Sequence, residues 1–137
     1  MAGDGEPRTY TPEQANAALP EVEAIVRRIA DVLPAIPEMQ ERVRLARFKA
    51  GRAAAAEADR VEAATAEEAL SGAEMALTVA LGSLERMGIQ VKDPWTGLID
   101  FLWLREGELV ELCWRLGEPS VAHWHRVGEG FAGRHPL

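Results

Sequence analysis

The chain of 137 residues is long enough for one modest core, and 47% apolar with 27% charged residues is the balance of an ordinary water-soluble globular protein. A net charge of −7 repels phosphate and argues against a dedicated nucleic-acid binder. One cysteine excludes an intramolecular disulfide, and no run approaches the roughly 20 apolar residues of a membrane span. The opening MAGDGEPRTY is polar and lacks the apolar stretch of a signal peptide, so a cytoplasmic protein with reduced Cys113 and no membrane partner is expected.

One domain over 1–137 is expected, beginning with a flexible leader over 1–8. A helical part follows over 11–87. Thr11-Pro12-Glu13-Gln14 reads as a helix start, with Thr11 as cap, Pro12 at the first helical position and Gln14 closing a capping box. Pro20 falls where it removes an internal hydrogen bond. A short helix to Leu19 and a break are therefore expected, with a second segment from Pro20 carrying the stripe Leu19, Val22, Ile25, Val26, Ile29 and Leu33. Pro34 and Pro37 end that segment and start the next.

From 37 to 87 two apolar series recur in steps of three and four, one from Met39 to Ala53 and one from Leu70 to Met87. They do not share a phase, and Thr65-Ala66-Glu67-Glu68 between them resembles a second capping box. A helical hairpin turning near 62–65 accounts for both facts; one continuous helix with a stutter is the alternative. An alanine-leucine stripe of this kind serves as core or subunit interface rather than as a cofactor box. So thin a hairpin calls for partner helices, and a homodimer is expected. The basic run RVRLARFKAGR offers a grip on a polyanion, but pairing with Glu38, Glu41, Glu57 and acids of the neighbouring helix is the simpler account.

Past Gly88 the period changes to two, and an antiparallel sheet is expected over 89–126. Ile89-Gln90-Val91 is a short strand, and Asp93-Pro94-Trp95-Thr96-Gly97 is a turn. In LIDFLWLREGELVELCW, Glu106-Gly107 makes a two-residue hairpin turn that sets Arg105 opposite Glu108. Counting back pairs Asp100 with Cys113, Leu102 with Glu111 and Ile99 with Trp114. Ile99, Phe101, Trp103, Val110, Leu112 and Trp114 then share an apolar face that must lie against the helices. The strand Val121–Arg126 buries Trp124 only if Trp124 joins that face beside Leu112. The same register sets His123 beside Cys113 and His125 beside Glu111. The architecture is thus α+β: a helical hairpin or small bundle on a three- to four-stranded antiparallel meander.

The far face gathers Asp100, Glu111, Cys113, His123 and His125. Imidazole, thiolate and carboxylate together suit zinc or iron, and a His-x-His pair on a strand points both rings the same way. A second chemical reading makes Cys113 a nucleophile, with His123 as base and Asp100 orienting it. The plain reading is that the open face of a small sheet is polar and wet, and this weighs most. Leu102, Leu104 and Leu109 on the same face point to a cover. The Gly-rich tail over 127–137 is too rich in glycine for helix or strand, and it can fold Phe131 onto the sheet. Arg134 then either pairs with a carboxylate, the weightier option, or binds an anion.

With these residues in view, the chain resembles a bacterial family catalogued only as domain of unknown function 2203. The likeness spans nearly the whole chain and is most specific in Leu-Cys-Trp-Arg-Leu-Gly-Glu-Pro, Trp-His and Gly-Phe-Ala-Gly-Arg. No activity comes with the resemblance. It implies motif positions at Asp100, Cys113, Trp114, Arg115, Glu118, Trp124, His125 and Arg134, of which Arg115, Glu118, Trp124 and Arg134 are candidates for ligand binding. His123 stands where the family tends to carry an aromatic residue, which moves weight onto Cys113, Glu111 and His125. Three functions are expected in descending order. The first is a non-catalytic binding or assembly protein that receives a protein partner or small anionic ligand on the polar face and tail. The second is a small zinc or iron protein with hydrolytic chemistry, held by Cys113, His125 and Glu111 or Asp100. The third is a thiol enzyme. Separation of Cys113 and His125 side-chain tips by more than about 8 Å would exclude the metal on reach alone.

Overall fold

A computed structural model describes residues 6–137. The expected leader lies largely outside these residues; 6–9 form no regular element. Tyr10 is already core. It is buried, its ring meets Phe101 edge-on, its N–H donates to the Leu102 carbonyl at 2.7 Å, and its hydroxyl donates to the Met87 carbonyl at 2.6 Å.

Helix α1 spans Pro12–Val32 behind the expected capping box: Thr11 Oγ1 accepts from the Gln14 N–H, and Gln14 Oε1 accepts from the Thr11 N–H. It does not break at Pro20. Ala15 and Leu19 before the proline, and Val22, Val26 and Ile29 after it, form one buried stripe. At about 1.5–3 kcal/mol for each large side chain, keeping that stripe in phase outweighs the roughly 3 kcal/mol of an interior proline. Asn16 also anchors this stretch to the distant Val121, donating to its carbonyl at 3.0 Å and accepting from its N–H at 2.8 Å.

A single 3-10 turn, Leu33–Ala35, leads into α2, Ile36–Ala50, and α3 follows as one helix over Glu57–Arg86. The hairpin is present, but its turn lies at 51–56 rather than 62–65, and Thr65 is inside α3. Gly51 ends α2, and the Asp59 carboxylate accepts from the Ala56 N–H to start α3. The second box-like sequence is thus an ordinary helical stretch. Two exposed ion pairs bridge the antiparallel helices: Arg47 to Glu67 at 2.6 Å and Lys49 to Glu62 at 2.9 Å. Arg42 pairs with Glu38 and Arg44 with Glu41, whereas Glu57 pairs with Arg60. The basic run is therefore largely internally neutralised.

The sheet is an antiparallel meander of five strands in sequence order: β1 Ile89–Asp93, β2 Leu98–Arg105, β3 Glu108–Arg115, β4 His123–Arg126 and β5 His135–Pro136. The fifth strand comes from the tail expected to be irregular. Gly128 (φ +92°) and Gly130 (φ +70°) turn the chain back, a 3-10 turn forms over Phe131–Gly133, and His135 pairs with Trp124. Glycine permits the reversal without preventing pairing beyond it. The register of β2 and β3 is the expected one from Ile99–Trp114 to Arg105–Glu108, as are Leu112–Trp124, Cys113–His123 and Glu111–His125 between β3 and β4. Ile99, Phe101, Val110, Leu112 and Trp114 are fully buried in one core with the α1 stripe and Ala80 and Leu84 of α3. Gly97 seats the β1–β2 turn against this core. Its φ is +74°, and a Cβ there would lie 2.6 Å from Leu116 Cβ and 2.9 Å from Val26 Cγ1. No helix among the described residues is long and apolar enough to cross a membrane.

Candidate metal centre

Three adjacent strands each contribute one donor to the face opposite the core: Asp100 from β2, Cys113 from β3 and His125 from β4. One ligand atom from each lies within 4.8 Å of the others, and all three residues are about 1% exposed. Cys113 and His125 thus fall well inside the reach that a shared metal requires. Glu111 is equally buried. Its carboxylate lies 3.9 Å from His125 Nδ1 and 3.3 Å from Lys92 Nζ, which in turn is 3.9 Å from Asp100.

This face is therefore not the open surface of a small sheet. The returning tail covers the part that carries the cluster: Gly128, Gly130 and Phe131, with Lys92, Leu98, Asp100, Glu111 and His125, line a cleft of about 200 Å³, while Leu104 and Leu109 at the hairpin end of the face stay exposed. The guanidinium groups of Arg134 and Arg115 both pack on Phe131, centred 4.0 and 4.7 Å from its ring centroid. Arg134 pairs with Glu118 at 2.9 Å, and Glu118 also accepts from the Arg115 N–H at 2.7 Å. Burial opposes ionisation of Glu118, but the two donors outweigh it and hold its carboxyl below the usual range. Arg134 is thus clamped to a carboxylate while also flanking Cys113.

The protonation pattern of His125 follows from its neighbours. Nδ1 lies 2.8 Å from the Arg126 carbonyl, which can only accept, so Nδ1 carries the proton. Nε2 lies 3.2 Å from Asp100 Oδ2 without a well-formed hydrogen bond, an ion pair when the ring is protonated and two facing lone pairs when it is neutral. Asp100 Oδ1 and Glu111 Oε1 are also buried without partners. Buried polar atoms are nearly always satisfied, so these atoms mark the polar side of the sheet as a place for a shared proton, a water or an ion. Burial, reinforced by neighbouring Glu111 and partly offset by His125, pushes the Asp100 carboxyl up. Burial first, and then Asp100, push the Cys113 thiol up to about 12. An activated nucleophilic thiol needs the opposite environment, one that favours thiolate.

The other candidates are placed elsewhere. His123 is half-buried beside Cys113 in the register, but it is outside the three-donor group. Trp124 belongs to the core face, where Arg105 and Arg126 lie over its ring and His135 packs beside it. Lys92 was not among the residues expected from the sequence. Alternation from Val91, which pairs with Ile99, would have put it on the polar side.

Fold and site together define an α+β protein with a buried aspartate–cysteine–histidine cluster across three strands. The chain matches the model of a family described as "Uncharacterized conserved protein (DUF2203)" over residues 8–137, and it belongs to that family. No curated protein and no solved structure gives a significant match.

Proposed function

We propose that this is a metal-binding protein whose Asp100, Cys113 and His125 hold one zinc or ferrous ion. The observation that carries the reading is the His125 ring, whose Nδ1–H is fixed on a backbone carbonyl while Nε2 faces a carboxylate with no hydrogen bond. That is how proteins orient an imidazole toward a metal. A tetrahedral ion with bonds of about 2.0–2.3 Å sets its ligands roughly 3.3–3.8 Å apart. The histidine–aspartate pair, at 3.2 Å, falls just short of that range and needs about 0.1 Å of opening, and the 4.8 Å span of the cluster needs about 1 Å of closure. The charges also balance. With Asp100, Glu111 and a Cys113 thiolate, a divalent ion and Lys92 give a neutral buried site.

Three protein ligands leave one tetrahedral position open, the arrangement of catalytic rather than purely structural zinc. The adjoining cleft has room for a bound water and a small ligand, and Glu111 stands in it as a carboxylate not required for coordination. Hydrolytic chemistry on a small substrate fits that geometry. A docking role for the part of the polar face that holds the cluster is less well supported, because the chain's own tail lies over it.

The test is elemental analysis of untagged protein, purified reduced and without chelator. Close to one zinc or iron per chain, lost in Cys113→Ser, is the expected result. Protein that is metal-free and takes up neither added ion overturns the proposal.

A further inference from the structure

We propose that the α2–α3 hairpin is a self-association surface, in which α2 of one copy lies on α3 of a second to complete a four-helix bundle. Helix α2 contributes no residue to the central core, and its own buried residues are only Val43 and Ala46. An isolated helix of its 15 residues is marginal in water, so it depends on packing that this chain supplies on one side alone.

The uncovered side is concave and mainly apolar, with Arg42, Lys49 and Glu62 also lining it. A groove of about 620 Å³ runs between the two helices, floored by Ala46, Ala66 and Ala69 and flanked by Leu45 and Phe48. Leu45 is 49% and Phe48 69% exposed, and Val61 near the start of α3 is 55% exposed. The volume falls in the range of sites that bury large apolar groups, and a helix bearing Leu45 and Phe48 presents such groups.

Charge selects the occupant and its orientation. Helix α2 has four basic residues against two acidic ones, net +2, while α3 has seven acidic against two basic, net −5. Placing α2 on α2 and α3 on α3 sets like against like. Crossing them sets helices of opposite net charge together twice over, extending between copies the alternation that Arg47–Glu67 and Lys49–Glu62 already make within one hairpin, and a two-fold, self-complementary interface allows it. An unrelated acidic or basic partner would satisfy only one of the two helices.

Sedimentation of the full chain from about 1 to about 200 μM tests this. A reversible dimer of twice the 15.0 kDa chain is expected, with the double substitution Leu45→Glu, Phe48→Glu giving a monomer of unchanged helical circular dichroism. Hydrogen exchange of the unmodified chain provides a check independent of any variant: protection over 36–69 should rise with concentration while β2–β4 stay constant. The proposal is overturned by a wild-type monomer throughout the range. A dimer that survives in the folded double variant, or concentration-dependent protection confined to the sheet, would also overturn it.

Discussion

The Cys113 thiol ionises near pH 12 in the folded chain, because burial and the adjacent Asp100 carboxylate both oppose a thiolate, whereas the unperturbed value is 9.0. Between those values the unfolded state alone gains by releasing the proton. This group's contribution to the stability of metal-free protein is therefore fully present below about pH 9 and is lost progressively as pH rises toward about 12. The limiting slope for one proton is about 1.4 kcal/mol per pH unit. Urea midpoints of the metal-free protein at a series of pH values from neutral to about 10.5 should fall above about 9, and Cys113→Ser should remove that component of the fall. Equal slopes in the two proteins would show that folding leaves the ionisation of the thiol unchanged. Metal affinity has the opposite sign, since binding demands the thiolate and so strengthens as pH rises.

At the scale of elements, the β1–β2 turn is the most exacting joint. Alanine at position 97 meets both a left-handed backbone and a Cβ less than 3 Å from Leu116 and Val26, so Gly97→Ala should cost about 2–4 kcal/mol in denaturant titration. Gly107, whose Cβ would meet nothing within 4 Å, bears only the backbone part, and Gly107→Ala should cost visibly less. Equal losses would mean that the close approach at Gly97 is not tight. These elements also show what was legible beforehand. The register of β2, β3 and β4 followed from one turn, one alternation and one tryptophan that had to be buried, because a slip of one residue would reverse the sheet's faces. Asp100, Cys113 and His125 came together on paper for that reason. The hairpin turn was misplaced because alanine fills both helices and the connection, which leaves composition silent about where helix stops. Pro20 misled because a local cost was set against no knowledge of the stripe buried beyond it. The burial of the polar face was legible in part, since Leu102, Leu104 and Leu109 pointed to a cover and the tail could fold Phe131 onto the sheet. The path of that tail was not, because it depends on where Gly128 and Gly130 turn it back, and glycine permits many directions.

For the whole molecule, the two proposals divide stability between two regions. A metal held by Asp100, Cys113 and His125 would tie β2, β3 and β4 to one another across the face opposite the core. It would touch nothing in α2, which shares no residue with the central core. An ion that binds only the folded state stabilises it by about 2.7 kcal/mol at a free concentration a hundredfold above its dissociation constant. For a chain of this size that is a rise in Tm of roughly 8–12 °C. Hydrogen exchange should locate the gain in the amides of β2–β4, leaving 36–50 unchanged at fixed protein concentration, and Cys113→Ser should abolish it. Dimerisation predicts the complementary pattern, with protection gained in the hairpin on concentrating the protein and independent of metal. A thermal shift that persists in Cys113→Ser would place the ion elsewhere, while a shift spread evenly over hairpin and sheet would mean that the two regions unfold as one unit. If both patterns appear separately, the hairpin assembles the molecule and the sheet holds its chemistry, each titrated by its own ligand.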